Sequence, residues 1–270
     1  MMQHEALWAS VMACVLAALL LVGCDTTLEP FAENNGAYSV RGVLTLTQDE
    51  HYIRVKDLNQ PVTQDTARTL DATVTLENLT TGLTETLEDS VVLFEGVATH
   101  NFRVDQSIEP SADYRLTVER SDGVTTQATA TTPPFTDVIV APETTAVACD
   151  QEIILDFPNV PTPRLLRLRA AIEWDGIPYW RSIDITTRSD GTPTAFVSAA
   201  SVIADVVPAP TLETLGGASQ YCTILSDDTL PIAYTHFGPD WPADSVRADP
   251  LASDVENGLG LFGAMHRDTL

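Results

Sequence analysis

Lysine is almost absent from this chain: 13 of its 14 basic residues are arginine, and Lys56 is the one exception. Basic charge is scarce altogether, since 38 Asp and Glu leave a formal net charge of −24. An acid excess of that size repels a phosphate backbone and an anionic bilayer surface, which argues against a nucleic-acid partner. Catalytic signatures are missing as well. There is no Gly-x-Ser-x-Gly elbow, no His-Glu-x-x-His and no Cys-x-x-Cys. "GLGLFG" (258–263) has glycines but follows no strand–helix pattern that could cradle phosphate. No Asp-x-Asp-x-Asp-Gly loop suggests calcium. The chain therefore reads as a non-enzyme without metal or cofactor. Its acid-rich composition fits a salt-rich environment, where charges are screened and hydrated carboxylates keep a surface soluble.

Long apolar runs are also rare, and the single candidate lies at residues 6–22, which carry no charge. That length suits the apolar core of a signal peptide or a short membrane helix. Its end decides: Leu21-Val22-Gly23-Cys24 matches the bacterial lipobox. In that motif the Cys thiol is acylated and the peptide before it is removed. Residues 1–23 are thus expected to be a lipoprotein signal peptide, although "MMQHE" lacks the usual positive charge. Cys24 is the expected lipidation site, with residues 24–36 a polar tether. Acyl chains contribute about 0.8 kcal/mol per buried CH₂, so the protein is expected to be anchored to a membrane without crossing it. Of the four cysteines, Cys14 leaves with the signal peptide. Cys149 and Cys222 remain, and export permits a disulfide between them, with free buried thiols the alternative.

Beyond residue 36 the chain alternates apolar and polar residues over short segments rich in Val, Thr, Tyr and Ile. "YSVRGVLTLT" (38–47), "HYIRVK" (51–56), "DATVTLEN" (71–78), "VVLFEG" (91–96), "THNFRV" (99–104) and "YRLTVER" (114–120) read as strands. This spacing predicts an all-β fold. "IEPSADYRLTV" (108–118) resembles the tyrosine-corner strand of immunoglobulin-like and fibronectin-type sandwiches. Tyr114 would then bond back across its loop while Leu116 and Val118 enter the core. "RSDG" occurs at 120–123 and again at 188–191, and both copies read as Asp-Gly turns. "TTPPF" (131–135) suggests a boundary between an N-terminal sandwich, 37–132, and a second β-domain, 135–270. In the second, "EIILDF", "LLRLRAAIEW", "IPYWRSIDITT", "QYCTILS", "PIAYTHF" and "DSVRADP" read as strands, and the only helix expected is "FVSAASVIADVV" (196–207).

The residues that could form a site cluster at one hairpin. Trp174, Tyr179 and Trp180 could offer a platform for a sugar ring or another apolar ligand, but alternation sets Tyr179 and Trp180 on opposite faces, so one of them is expected in the core. Arg167 and Arg169 share a face and could clamp a carboxylate or phosphate. The competing reading is a solvated face paired with Glu173 and Asp184. With Arg181 these complete the expected ligand-binding set, placed at a crevice between the two domains. His236, near Asp240, reads as a structural histidine.

"SDVENGLGLFGA" (253–264) adds a different kind of evidence. With the lipobox, the "YRLTV…TATTPP" junction and "ILSDDTLPIAY", it resembles a family of outer-membrane lipoproteins from Bacteroidota and related bacteria. Asn257, Gly258, Gly260, Phe262 and Gly263 carry that last match, with the Asn shifted from its commonest place. The resemblance implies no established activity. It implies two β-domains and an accessory role beside a TonB-dependent outer-membrane receptor, with the chain monomeric outside that complex. Asp25, Glu29 and Glu33 after Cys24 resemble export tags, leaving a periplasmic and a cell-surface orientation open. The alternative function is a surface structural or adhesive protein. The glycines near the end read as sites of close backbone approach in a final strand.

Overall fold

Period-two alternation makes strands of nearly every described segment. The computed structural model describes residues 38–59, 69–94, 97–143, 152–174, 177–207, 211, 217, 231–241 and 254–270. Cys24, Cys149, Cys222 and the expected strands "QYCTILS" and "DSVRADP" lie outside them. The first half runs β1 (Tyr38–Thr45), β2 (His51–Asp57), β3 (Thr73–Asn78), β4 (Leu83–Thr86), β5 (Glu88–Phe94), β6 (Val97–Val104), β7 (Asp113–Glu119) and β8 (Thr125–Thr131). The second half begins with β9 (Ile139–Ala141), β10 (Glu152–Asp156), β11 (Leu166–Trp174), β12 (Ile177–Ile183), β13 (Ile185–Thr187) and β14 (Pro193–Ser198). A helix α1 (Ala199–Val206), capped by the Ser198 side chain, leads on to β15 (Ile232–Phe237), β16 (Val255–Glu256) and β17 (Gly258–Thr269). The fold is all-β apart from this helix among the described residues.

Three sheets result. The largest has eight strands in the order β12-β11-β15-β17-β1-β2-β6-β5. A five-stranded sheet, β16-β8-β7-β3-β4, and a four-stranded sheet, β13-β14-β10-β9, complete the set. Side chains alternate across each strand, and register partners share a face. Val40 and Leu44 of β1, Ile53 and Val55 of β2 and Phe102 of β6 therefore point one way. They pack on Val74, Leu76, Leu116 and Val118 of the five-stranded sheet as one core. Through β17 the same face continues to β15 and β11, where Leu166, Leu168, Ile232 and Tyr234 pack with Ile153, Leu155 and Val197 of the four-stranded sheet. The expected boundary at 131–135 falls between β8 and β9, but the first core also takes Val255, Phe262 and Ala264 from beyond it. The eight-stranded sheet likewise takes strands from both halves.

Tyr114 behaves as its local sequence suggests. Its hydroxyl accepts from the Glu109 backbone N–H at 2.8 Å, five residues upstream, while the ring, Leu116 and Val118 are fully buried. Both RSDG segments form the same turn: Gly123 has φ 87° and Gly191 has φ 91°, and each donates its N–H to the Arg three residues back. The expected strand at 177–187 is two strands, β12 and β13; the helix expected over 196–207 gives its first three residues to strand β14 and begins at Ala199; β4 and β9 were not expected. Such three- and four-residue strands carry too few alternations to stand out.

The C-terminal segment is where the two layers meet. Val255 and Glu256 pair with β8 in the five-stranded sheet. Asn257 then turns at φ 54°, and β17 enters the eight-stranded sheet between β1 and β15. Its pairing with β1 is parallel, in register from Tyr38↔Gly258 to Thr45↔Met265. Half-buried Asp254 accepts from the Phe262 N–H at 3.1 Å and fixes the corner; partial burial raises the pKa of its carboxyl. Gly260 has φ +124°, and a Cβ there would stand 1.8 Å from the Val40 carbonyl oxygen. Gly82 has φ +77° with open space around it. Positive φ alone costs an L-residue about 1–2 kcal/mol, so Gly82→Ala is expected to lose about that much stability. Gly260→Ala adds the clash and is expected to lose at least twice as much in urea unfolding; equal losses would contradict this account of β17.

Candidate functional site

The face of the eight-stranded sheet turned away from both cores carries the basic residues. On β11, Arg167 and Arg169 alternate with buried Leu166, Leu168 and Ala170, so both guanidinium groups project from this outer face and are exposed. Thr235 of β15 lies in register between Arg167 and Arg267 of β17. Arg267 therefore joins the pair as a third exposed cation on the same face. No ion pair links these three to a described carboxylate within 4.0 Å, Asp184 included; the Glu173 side chain lies outside the described residues.

Aromatic rings support two of the three, Arg167 and Arg169. The Arg167 guanidinium carbon lies 5.3 Å from the Phe237 ring centre, and that of Arg169 lies 6.0 Å from Trp180. Each such contact is worth about 0.5–1 kcal/mol at an exposed site. Stacking on a ring uses the face of the guanidinium plane and leaves its N–H edge for a carboxylate or phosphate. Phe237 in turn packs against Trp241 with ring centres 4.6 Å apart. Trp241 rests on Gly263, where a Cβ would approach its ring carbons to 2.7 Å. The result is a shelf of two rings bordered by three arginines.

A second basic group lies on the same face. Arg41 of β1 is directly opposite Arg54 of β2, with Lys56 two residues further along β2 and opposite Ser39. Arg54 Nε donates to Asn101 Oδ1 at 3.5 Å. Like charges directly opposite in a sheet are unfavourable, and here they stand in a chain with 38 acidic residues. The outer positions of β1, β2, β15 and β17 carry no Asp or Glu.

The residues expected at the hairpin are thus divided. Arg167, Arg169 and Trp180 meet on the outer face. Arg181 is opposite Ala170 on the other face, and its Nη2 donates to the Asp205 carbonyl of α1. Tyr179 is opposite Ile172, on that face too. Tyr179 and Trp180 are both 40% exposed, so neither occupies the core as expected of one of them. Strand β12 is the edge of its sheet, and its side chains lack a neighbour on that side. The backbone of Trp174 pairs with Ile177; its side chain is outside the description. The outer face of one continuous sheet, and not a crevice between two sandwiches, gathers the arginines. Arg267, Phe237, Thr235 and Trp241 were not anticipated as site residues. Only the pairing of β17 with β15 brings Arg267 there, and no local pattern encodes that pairing.

His236 and His266 face each other in register on the inner face and are buried. Thr136, from the segment between β8 and β9, donates its N–H to His266 Nδ1 at 3.0 Å. Its hydroxyl lies 3.1 Å from His236 Nδ1 and 2.9 Å from His266 Nδ1. The structural reading of His236 fits this: it bonds to Thr136 within the core.

Comparison with known proteins adds little. No protein-family model matches the chain, and no curated protein matches it. A pullulanase from Anoxybacillus sp. LM18-11, solved with maltotriose, aligns over 73% of this chain at 11% identity and a TM-score of 0.24. The same enzyme solved alone aligns over 74% at 12% identity and a TM-score of 0.23. This chain spans about a quarter of that enzyme's length, 24% in both alignments. Scores that low carry no argument about fold or activity.

The histidine pair sets a pH dependence. Burial, then the neighbouring His266, lowers His236 to about 4, and burial lowers His266 against the opposing pull of Asp268. The unfolded chain takes up protons near pH 6.5 that the folded chain refuses, so this contribution is complete above that pH. It is lost as pH falls from 6.5 toward 4, and for His236 it amounts to about 3 kcal/mol. Urea unfolding between pH 7 and pH 4 is expected to show this slope and a shallower one in His236→Gln. Identical slopes would contradict it.

Proposed function

We propose that this chain is a lipid-anchored, non-catalytic ligand-binding protein of the outer membrane that serves a TonB-dependent transporter. The observation that supports ligand capture is the pair of ring-backed arginines, Arg167 on Phe237 and Arg169 on Trp180, with Arg267 beside them on the same face. Exposed guanidinium groups held on aromatic faces are arranged to take a carboxylate or phosphate with little further ordering, which lowers the entropic cost of binding. A sheet face also suits recognition without reaction, because it is broad and rigid and holds its side chains at fixed spacing. The lipobox at Cys24 supports the anchor, and the resemblance of the terminal "ENGLGLFGA" stretch to receptor-associated lipoproteins supports the partner.

Cross-linking and pull-down of the tagged, lipidated protein from native membranes tests both parts. The expected result is recovery of a large β-barrel receptor with the native chain and its loss with Cys24→Ala. Efficient cross-linking that recovers no barrel would refute the transporter role.

A further inference from the structure

Six outer-face cations, Arg41, Arg54, Lys56, Arg167, Arg169 and Arg267, are six of only 14 basic residues in the chain; a seventh on this face, Arg103 of β6, is ion-paired with Asp105. Their concentration on one face of one sheet is the least expected feature of a molecule with charge −24. From β12, which carries Trp180, to β2 the sheet order has five steps, β12-β11-β15-β17-β1-β2. At about 4.8 Å per step this face spans roughly 24 Å across the strands. The two groups are also offset along the strands, since Arg41 pairs with Leu261 while Arg267 lies beyond Met265 on the same strand. No small carboxylate or phosphate reaches from one group to the other. A linear polymer does.

We propose that this face is a track for a single linear acidic glycan, held at one end by Arg167, Arg169 and Arg267 and at the other by Arg41, Arg54 and Lys56. This deepens the ligand-binding reading above and rests on it. The chemistry between the cations favours sugar. Ser39, Asn101 and Thr235 place hydroxyl and amide groups beside the basic residues, matched to sugar hydroxyls. Trp241, half-buried on Gly263, offers an apolar surface between the two groups. Charge density also discriminates. Duplex DNA carries one negative charge per about 1.7 Å of axis, and the acidic remainder of this protein opposes so dense a polyanion. A uronate or sulfated glycan has its charges spread over a bulkier, hydroxyl-rich chain. Arginine suits carboxylate and sulfate because its planar fork donates two parallel hydrogen bonds.

The test uses the full chain in detergent, titrated calorimetrically with polygalacturonate, dextran sulfate, neutral dextran and a single-stranded oligonucleotide. Two triple variants remove one group each: Arg41→Ser, Arg54→Ser, Lys56→Ser, and Arg167→Ser, Arg169→Ser, Arg267→Ser. A charge-matched control removes Arg115, Arg120 and Arg164, which lie outside the track. The expected result is binding of an acidic glycan that weakens with added salt, with neutral dextran unbound. Each track variant is expected to lose about tenfold or more in affinity while the control stays near the native value. Loss of affinity in the Arg167 triple alone overturns the track and leaves capture by that trio standing. No acidic-glycan binding by the native chain, an equal loss in the control, or tighter binding of the oligonucleotide overturns the glycan assignment. Should a triple variant fail to fold, the native chain still decides through its glycan, neutral-dextran, oligonucleotide and salt series. Barrel recovery in the pull-down is independent of every outcome here.

Discussion

Strand β17 pairs in parallel with β1 and antiparallel with β15, and that double pairing joins the strands of the two halves into one sheet. The consequence is physical. Residues from the start, middle and end of the chain share one sheet face, and the inner side chains of that face feed both apolar cores. A parallel pair between the first and last strands has high sequence separation, and its loop-closure cost falls on the whole fold. The glycines relieve the local crowding: Gly260 accepts φ +124° against the Val40 carbonyl, and Gly258 lies close to Tyr38 O and Thr126.

The same pairing makes the outer face. Arg267 meets Arg167 only because β17 and β11 flank β15, and Arg41 joins that face only because β1 lies on the other side of β17. Alternation sends every second residue outward, and on β1, β2, β15 and β17 none of those residues is acidic. For Arg167 and Arg169, aromatic rings stand where carboxylate partners would. A carboxylate partner would satisfy each guanidinium within the fold, whereas a ring steadies it and leaves its donors available. On the inner face at the same level, buried His236 and His266 hold the inter-core segment through Thr136, and burial lowers the pKa of both.

Local features were legible in the sequence to the extent that their causes are local. Strand alternation, the two Asp-Gly turns, the Tyr114 hydrogen bond across its loop and the common face of Arg167 and Arg169 all follow from a few neighbouring residues. The glycine-rich end was legible as a place of close backbone approach, since only glycine fits there. Its destination was not. Nothing in "NGLGLFGAMHRDT" specifies pairing with β15 on one side or with β1, more than 200 residues away, on the other, so the place of Arg267 and the continuity of the large sheet were invisible. Tyr179 and Trp180 show a related limit: alternation correctly put them on opposite faces, but exposure at a sheet edge is set by which neighbours the edge lacks.

Native-state hydrogen exchange tests the central role of β17 most directly. If one sheet runs through both halves, the amides shared by β1, β17 and β15 exchange through one common opening with one free energy. The contrary result would be separate openings, with β15 and β11 exchanging at a lower free energy while β17 and β1 remain protected. That would make the halves independent and remove the basis for a continuous basic face.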